Sequence, residues 1–249
     1  MGNSVEATML KCEICGMELD EERIADICPY CGVTIGMERK CIHCDKALGK
    51  AKFCPDCGAK TVECGQFKDE RDGQVYRTVK IGGQIWMAEN LNYGKMSRKF
   101  PLKGEKKWCY GFDENNCRGG RGGLYSYTVA KRICPKGWHL PSEEEWKRLF
   151  AAVGGMDRAG RTLMATGDGT YYHDPFGFSV LLTGYVHRAM GEVYFTDVNE
   201  AACFWCKSKG LFKDGPFEGK IVCFVVAENS VDFLRAFNVC GYSVRCVKD

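Results

Sequence analysis

The sequence predicts an α+β domain, with helices and small antiparallel sheets, preceded by two small metal-stapled modules. Three observations predict it. Eight N-terminal cysteines fall into two Cys-x2-Cys…Cys-x2-Cys sets. Downstream, an alternating strand, a Gly-Gly turn and a return strand mark an antiparallel hairpin over 75–87. Beyond it, a capped amphipathic helix begins at Ser142, and short strands separated by turn residues run to the C-terminus.

Cys12 and Cys15 are followed, after twelve residues, by Cys28 and Cys31; Cys41 and Cys44 are followed, after nine, by Cys54 and Cys57. Each set supplies four thiolates, enough to close a tetrahedral zinc site and leave no position for a substrate. Two structural Zn2+ ions are therefore expected, one in a ribbon over 10–34 and one in a ribbon over 38–60. Gly16, Gly32 and Gly58 each follow the second cysteine of a pair. A glycine there lets the knuckle turn with positive φ, so that backbone amides face the sulfurs. The third knuckle has Asp45 instead, and His43 within it reads as a spacer. The repeated knuckle resembles the double zinc ribbon family. A segment this short buries too little apolar surface to fold alone, so metal binding would supply the folding energy.

The chain has 249 residues, a net charge of +3, a hydrophobic fraction of 45% and an aromatic fraction of 12%. After the ribbons, roughly 180 residues remain, enough for one domain with its own core. The small net charge argues against a nucleic-acid partner, which normally demands a basic excess. Basic residues near the second ribbon, such as Arg39, Lys40 and Lys46, alternate with Glu38 and Asp45 and read as a solvated face. No apolar run is long enough to span a bilayer. Met1 to Leu10 lacks a basic stretch followed by an apolar one, so no secretory signal is read and the expected location is cytoplasmic, where thiols stay reduced.

In chain order, 61–66 reads as a linker. Asp69 to Gln74 is a turn. Val75 to Ile81 alternates as a strand, Gly82-Gly83 makes a two-residue turn, and Gln84 to Met87 returns. A polar, glycine-rich stretch covers 94–123. Tyr127 to Cys134 is a short helix stopped by Pro135. Ser142 is the N-cap of the next, with Glu145 completing a capping box, and Glu143 to Glu145 complement the helix dipole. Trp146, Leu149, Phe150 and Val153 share one face, and Gly154-Gly155 ends the helix. Strands are expected at 178–182, 192–195, 202–206, 221–227, 231–236 and 242–247.

Three motifs carry a resemblance: Phe67 to Tyr93, Cys134-Pro135-Lys136-Gly137-Trp138-His139-Leu140-Pro141-Ser142, and the ending Gly241-Tyr242-Ser243-Val244-Arg245-Cys246-Val247-Lys248-Asp249. Together they closely resemble the Fibrobacter succinogenes major paralogous domain, over 67–249. The resemblance implies a bacterial binding domain with a C-type-lectin-like fold, in which two helices flank a small antiparallel sheet. It also implies that Cys134 and Cys246 stand where lectin-like folds carry a bridge, with Cys109 and Cys117 a second candidate pair. In a reduced cytosol all four would be buried thiols. The chain has none of the Glu-Pro-Asn, Gln-Pro-Asp or Trp-Asn-Asp tripeptides with which calcium lectins hold sugars, so calcium-dependent sugar binding is not expected.

No catalytic constellation stands out. His139, beside Trp138, reads as a hydrogen-bonded structural histidine rather than a base. Cys203 and Cys206 form a CxxC within a strand-like segment, away from the helix N-terminus that favours a reactive thiolate, and read as packing thiols. Gly119 to Gly123 lacks the lysine and strand-helix setting of a phosphate loop. The variable surface implied by the fold family is Leu211 to Asn238, with Phe212, Phe217, Phe224, Phe233 and Phe237 as candidate contacts. The expected function is non-enzymatic binding or scaffolding with a protein partner. The competing classes are a formylglycine-generating-type cysteine oxidase and nucleic-acid binding through the ribbons.

Overall fold

The structure is a computed structural model. It describes residues 63–100, 102–165, 174, 176–208, 217–225 and 231–249, together with the paired strands β1 (Leu10–Lys11) and β2 (Glu18–Leu19). The eight candidate zinc ligands lie outside the described residues.

β3 (Glu63–Lys68) starts inside the stretch expected as a linker and pairs along its whole length with β4 (Val75–Ile81). β4 turns directly into β5 (Gln84–Met87). Gly82 and Gly83 have φ of +59° and +81°, the twist that a two-residue hairpin needs and that only glycine adopts freely. Two short pieces, β6 (Lys95–Met96) and β7 (Lys106–Lys107), pair with each other, and β8 (Leu124–Tyr125) leads into α1 (Tyr127–Ile133). β9 (Trp138–His139) precedes α2 (Glu143–Ala152), which carries the expected Ser142–Glu145 capping box. α3 (Met156–Leu163) follows at once. The remaining strands are β10 (Thr183–Ala189), β11 (Glu192–Val198), β12 (Ala201–Cys206), β13 (Phe217–Val225), β14 (Val231–Phe237), β15 (Cys240–Ser243) and β16 (Val247–Lys248).

These elements correct the expected α+β, C-type-lectin-like fold. Strand dominates the described residues. A seven-stranded sheet runs β11-β10-β15-β12-β13-β14, with β8 paired to β15, beside a five-stranded sheet β3-β4-β5-β16-β9. Three α-helices, not two, accompany them among the described residues. The zinc ribbons that completed the expected class have no described side chains. The difference arises in two places. The segment 183–189 carries no expected strand, yet forms β10 and pairs with β11, which extends the strand expected at 192–195, in a long hairpin. α3 is built on Met156, Ala159, Gly160 and Leu163, whose helical spacing is masked by small residues that give little hydrophobic signal. The strand expected at 178–182 is reduced to a single bridge at Val180.

β12 is buried along its entire length. Its alternating side chains serve two cores. Cys203 and Trp205 join one with Trp108, Tyr125, Tyr127 and Tyr242. Ala202, Phe204 and Cys206 join the other with Trp86, Trp146, Phe150 and Phe178. Consecutive strand residues point to opposite faces, so one strand forms the wall between both cores.

The three recognised motifs converge on one seam. Val247 of the ending pairs with Trp86 of the opening and with His139 of the central motif. Met87 N donates to Cys246 O at 3.1 Å, and Leu91 N to Val244 O at 2.9 Å. Cys134 and Cys246 are disulfide-bonded, as are Cys109 and Cys117. Arg245, fully buried, fills the seam: it donates to Asn90 Oδ1 and to the carbonyls of Phe178 and Ser179. Its guanidinium lies over the Phe178 ring, 4.5 Å from the centroid. Burial pushes its pKa down to about 9, which still leaves it cationic at neutral pH, with the charge of Asp174 acting to hold it. A buried cation persists only where acceptors surround it.

Candidate functional site

A concave site lies where α1, the 134–140 segment and the C-terminal end of β12 meet. It is an open pocket of about 310 Å3, lined by Tyr127, Lys131, Arg132, Cys134, Trp138, His139, Leu140, Lys207 and Ser208. Local sequence explains each wall. α1 is short because Pro135 stops it, and it turns Tyr127, Val129, Ala130 and Ile133 inward. Lys131 and Arg132 are left exposed on its last turn, where cations complement the helix dipole. The opposite wall is fixed by Lys207 N, which donates to Pro141 O at 2.7 Å and holds the end of β12 against the start of α2.

The Tyr127 ring is buried, but its hydroxyl reaches the pocket. It lies 3.1 Å from Ser208 Oγ and accepts from Ser208 N at 3.1 Å. Lys131 Nζ sits over the same ring, 5.2 Å from its centroid. Lys131, Arg132 and Lys207 have no carboxylate partner among the described residues. The pocket thus presents three cationic heads, a tyrosine hydroxyl and a serine around an aromatic and aliphatic floor. Such an arrangement is chemically complementary to an anion.

His139 stands at the rim with both ring nitrogens engaged. Nε2 lies 2.8 Å from Glu145 Oε1, and Nδ1 lies 2.5 Å from Asp249 Oδ1. Glu145 is fixed in turn by Ser142, whose amide and hydroxyl donate to Oε2 at 2.8 and 2.7 Å. Burial pushes the Glu145 carboxyl up, but hydrogen bonds from Ser142 and His139 outweigh it and leave the group below its usual value. This ties His139 to helix capping and to the C-terminal residue, in line with the structural role expected of it.

The CxxC does not form a pair. Cys203 and Cys206 are three residues apart on a strand, so they face different cores. Both are buried, and burial pushes the Cys206 thiol up to about 12. The Cys203 thiol is raised well above its usual value, by its hydrogen bond with Cys223 and then by burial. Thiolates are disfavoured at both positions. Of the phenylalanines placed on the variable surface, Phe224 is fully buried core and Phe233 packs against it. Phe217 packs in a tilted arrangement against the exposed Phe237, centroids 4.8 Å apart. Phe212 lies outside the described residues.

The cationic pocket went unread in the sequence. Lys131 and Arg132 lie far from Lys207 along the chain, and no spacing rule links them. Only the pairing of the end of β12 beside Ser142 brings them together.

The profile of the Fibrobacter succinogenes major domain family matches residues 79–248, and the chain belongs to that family. No curated protein and no solved structure matches the chain.

Proposed function

We propose that the protein is a non-enzymatic binding module whose C-terminal domain captures an acidic segment of a protein partner in the pocket between α1 and the end of β12. The observation that carries this reading is the convergence of Lys131, Arg132 and Lys207, none with a carboxylate partner among the described residues, around one concavity. The two buried CxxC thiols, facing opposite ways with raised pKa values, weigh against the cysteine oxidase alternative. The net charge of +3 weighs against nucleic acid.

The same reading gives the N-terminus two zinc-stapled ribbons, with Cys12, Cys15, Cys28 and Cys31 holding one Zn2+ and Cys41, Cys44, Cys54 and Cys57 the other. In support, β1 and β2, paired antiparallel from Leu10↔Leu19 to Lys11↔Glu18, bracket the Cys12–Cys15 knuckle in sequence. Thiolate zinc of this kind supplies folding energy and no open coordination position. The expected metal content is two zinc ions per chain by elemental analysis, falling to one in a Cys28→Ser variant; a zinc-free folded protein would remove this part of the reading.

The two bridges bear on location. Disulfides form and persist in oxidising compartments. They favour maturation of the C-terminal domain in such a compartment over the reduced cytosol expected from the sequence.

The binding test is calorimetry of the full chain with a hexa-glutamate peptide and, separately, with a single-stranded oligonucleotide. The peptide is expected to bind, with affinity falling as salt is added, and the Lys131→Gln/Lys207→Gln variant to lose that binding while keeping its thermal midpoint. Equal binding by the variant, or tighter binding of the oligonucleotide, would overturn the reading.

A further inference from the structure

Two cysteines that neither bridge nor the pocket uses face each other across the middle of the seven-stranded sheet. In the β12–β13 ladder, Cys203 stands directly opposite Cys223. Directly opposed residues of an antiparallel pair have Cα atoms roughly 4.5 to 5.5 Å apart, depending on their place in the hydrogen-bond pattern. Both values fall within the range a disulfide spans. The side chains point the same way: Cys203 belongs to the core around Trp205, and Cys223 packs against that core. The two thiols share a hydrogen bond. Exposure separates their roles, since Cys203 is buried at 3% while Cys223 is half-buried.

We infer that Cys203 and Cys223 form a redox-modification site, a dithiol that a disulfide-class oxidant converts into a cross-strand bridge between β12 and β13. The half-buried Cys223 is the entry. Its thiolate attacks one sulfur of a small disulfide, such as oxidised glutathione, giving a mixed disulfide and releasing one glutathione thiol. Cys203 then loses its proton and attacks the Cys223 sulfur. The Cys203–Cys223 bond forms, and the second glutathione leaves as a thiol. Two electrons and two protons pass from the protein to the oxidant, and the books balance without a metal or oxygen.

Burial gives the pair its character. Attack requires a thiolate, and the Cys203 thiol is held protonated by its hydrogen bond and its burial. The second step is therefore the slow one, and the mixed disulfide at Cys223 accumulates before it resolves. A third thiol, Cys240, lies near enough to influence the charge of Cys203, but it is 5% exposed and its own thiol is engaged with Tyr242. Cys240 is accordingly a bystander. The bridge would tie β12, the wall between both cores, to its neighbour β13, a position neither existing disulfide spans.

The experiment is a time course of the full chain, both native bridges intact, in oxidised glutathione. Samples are quenched by alkylation and mapped by peptide mass spectrometry without reduction. The expected result is an early glutathione adduct on the peptide holding Cys223, replaced by a cross-linked peptide joining Cys203 to Cys223. Cys203→Ser should lose the cross-link completely and trap the adduct, while Cys240→Ser should leave the time course unchanged. A Cys223 adduct that persists in the wild type with Cys203 still alkylatable would overturn the inference, as would a cross-link to Cys240. The wild-type map decides the matter even if a variant fails to fold.

Discussion

Arg245 donates from both Nε and Nη2 to the single Oδ1 of Asn90, at 3.1 and 2.9 Å, with both residues buried. Asn90 spends its amide nitrogen on Arg121 O at 2.9 Å. The pair joins the first and last family motifs, 155 residues apart. Removing the neutral acceptor of a buried, charge-assisted hydrogen bond leaves the guanidinium short of a partner, typically at a cost of about 1.5–3 kcal/mol. Asn90→Leu is therefore expected to lower unfolding stability by that order in urea titrations. A loss below about 1 kcal/mol would mean that the carbonyls of Phe178 and Ser179 hold the guanidinium unaided.

The two bridges are expected to differ in worth. Cys134–Cys246 closes a separation of 112 residues and Cys109–Cys117 one of 8. On chain-entropy grounds the long loop gains roughly 5 kcal/mol and the short one roughly 2.5. Cys134→Ala/Cys246→Ala should thus drop the thermal midpoint clearly further than Cys109→Ala/Cys117→Ala. Equal drops would show that the short bridge does more than close its loop.

What the sequence made legible was local. The β4–β5 hairpin is written in alternation and two glycines, and α2 in Ser142, Glu145 and a clean apolar face. The seam was legible as three motifs but not as a contact, because nothing in Asn90 or Arg245 alone points at the other. β10 was missed, although β11 was expected in part at 192–195, because Thr183 to Ala189 alternates weakly and the turn between them begins with Met190, not a turn-forming residue. The pocket was missed for the same reason as the seam: its cations come from elements whose meeting depends on sheet order. The number of strands, and hence the fold class, likewise follows from long-range pairing such as β12 with β15, which short windows of sequence do not encode.

The capping box predicts an acid limb. Glu145 has a folded pKa below its usual value, so it contributes stability above the unfolded carboxylate value of about 4.3, and that contribution is lost as pH falls through the folded pKa. Glu145→Gln should therefore lower stability at neutral pH and flatten the loss of stability below about pH 4.3. Ser142→Ala should cost about 1 kcal/mol through the lost cap. If the acid limb of Glu145→Gln overlays the wild type, other carboxylates govern it.

Met190 is the clearest site for gain. It occupies the β10–β11 turn with φ of +49° and is wholly exposed, so its side chain contributes no packing. A left-handed conformation costs an ordinary residue about 1–2 kcal/mol, whereas asparagine tolerates it and is favoured beside glycine in a two-residue hairpin. The following residue is Gly191, with φ of +87°, so Met190→Asn creates the Asn-Gly turn that the register of Ala189 with Glu192 calls for. The expected gain is about 0.5–1 kcal/mol, read as a higher urea midpoint at unchanged slope. Because Met190 touches neither core, a loss of stability instead would mean that β10 and β11 pair in a register other than the one joining Val186 to Phe195.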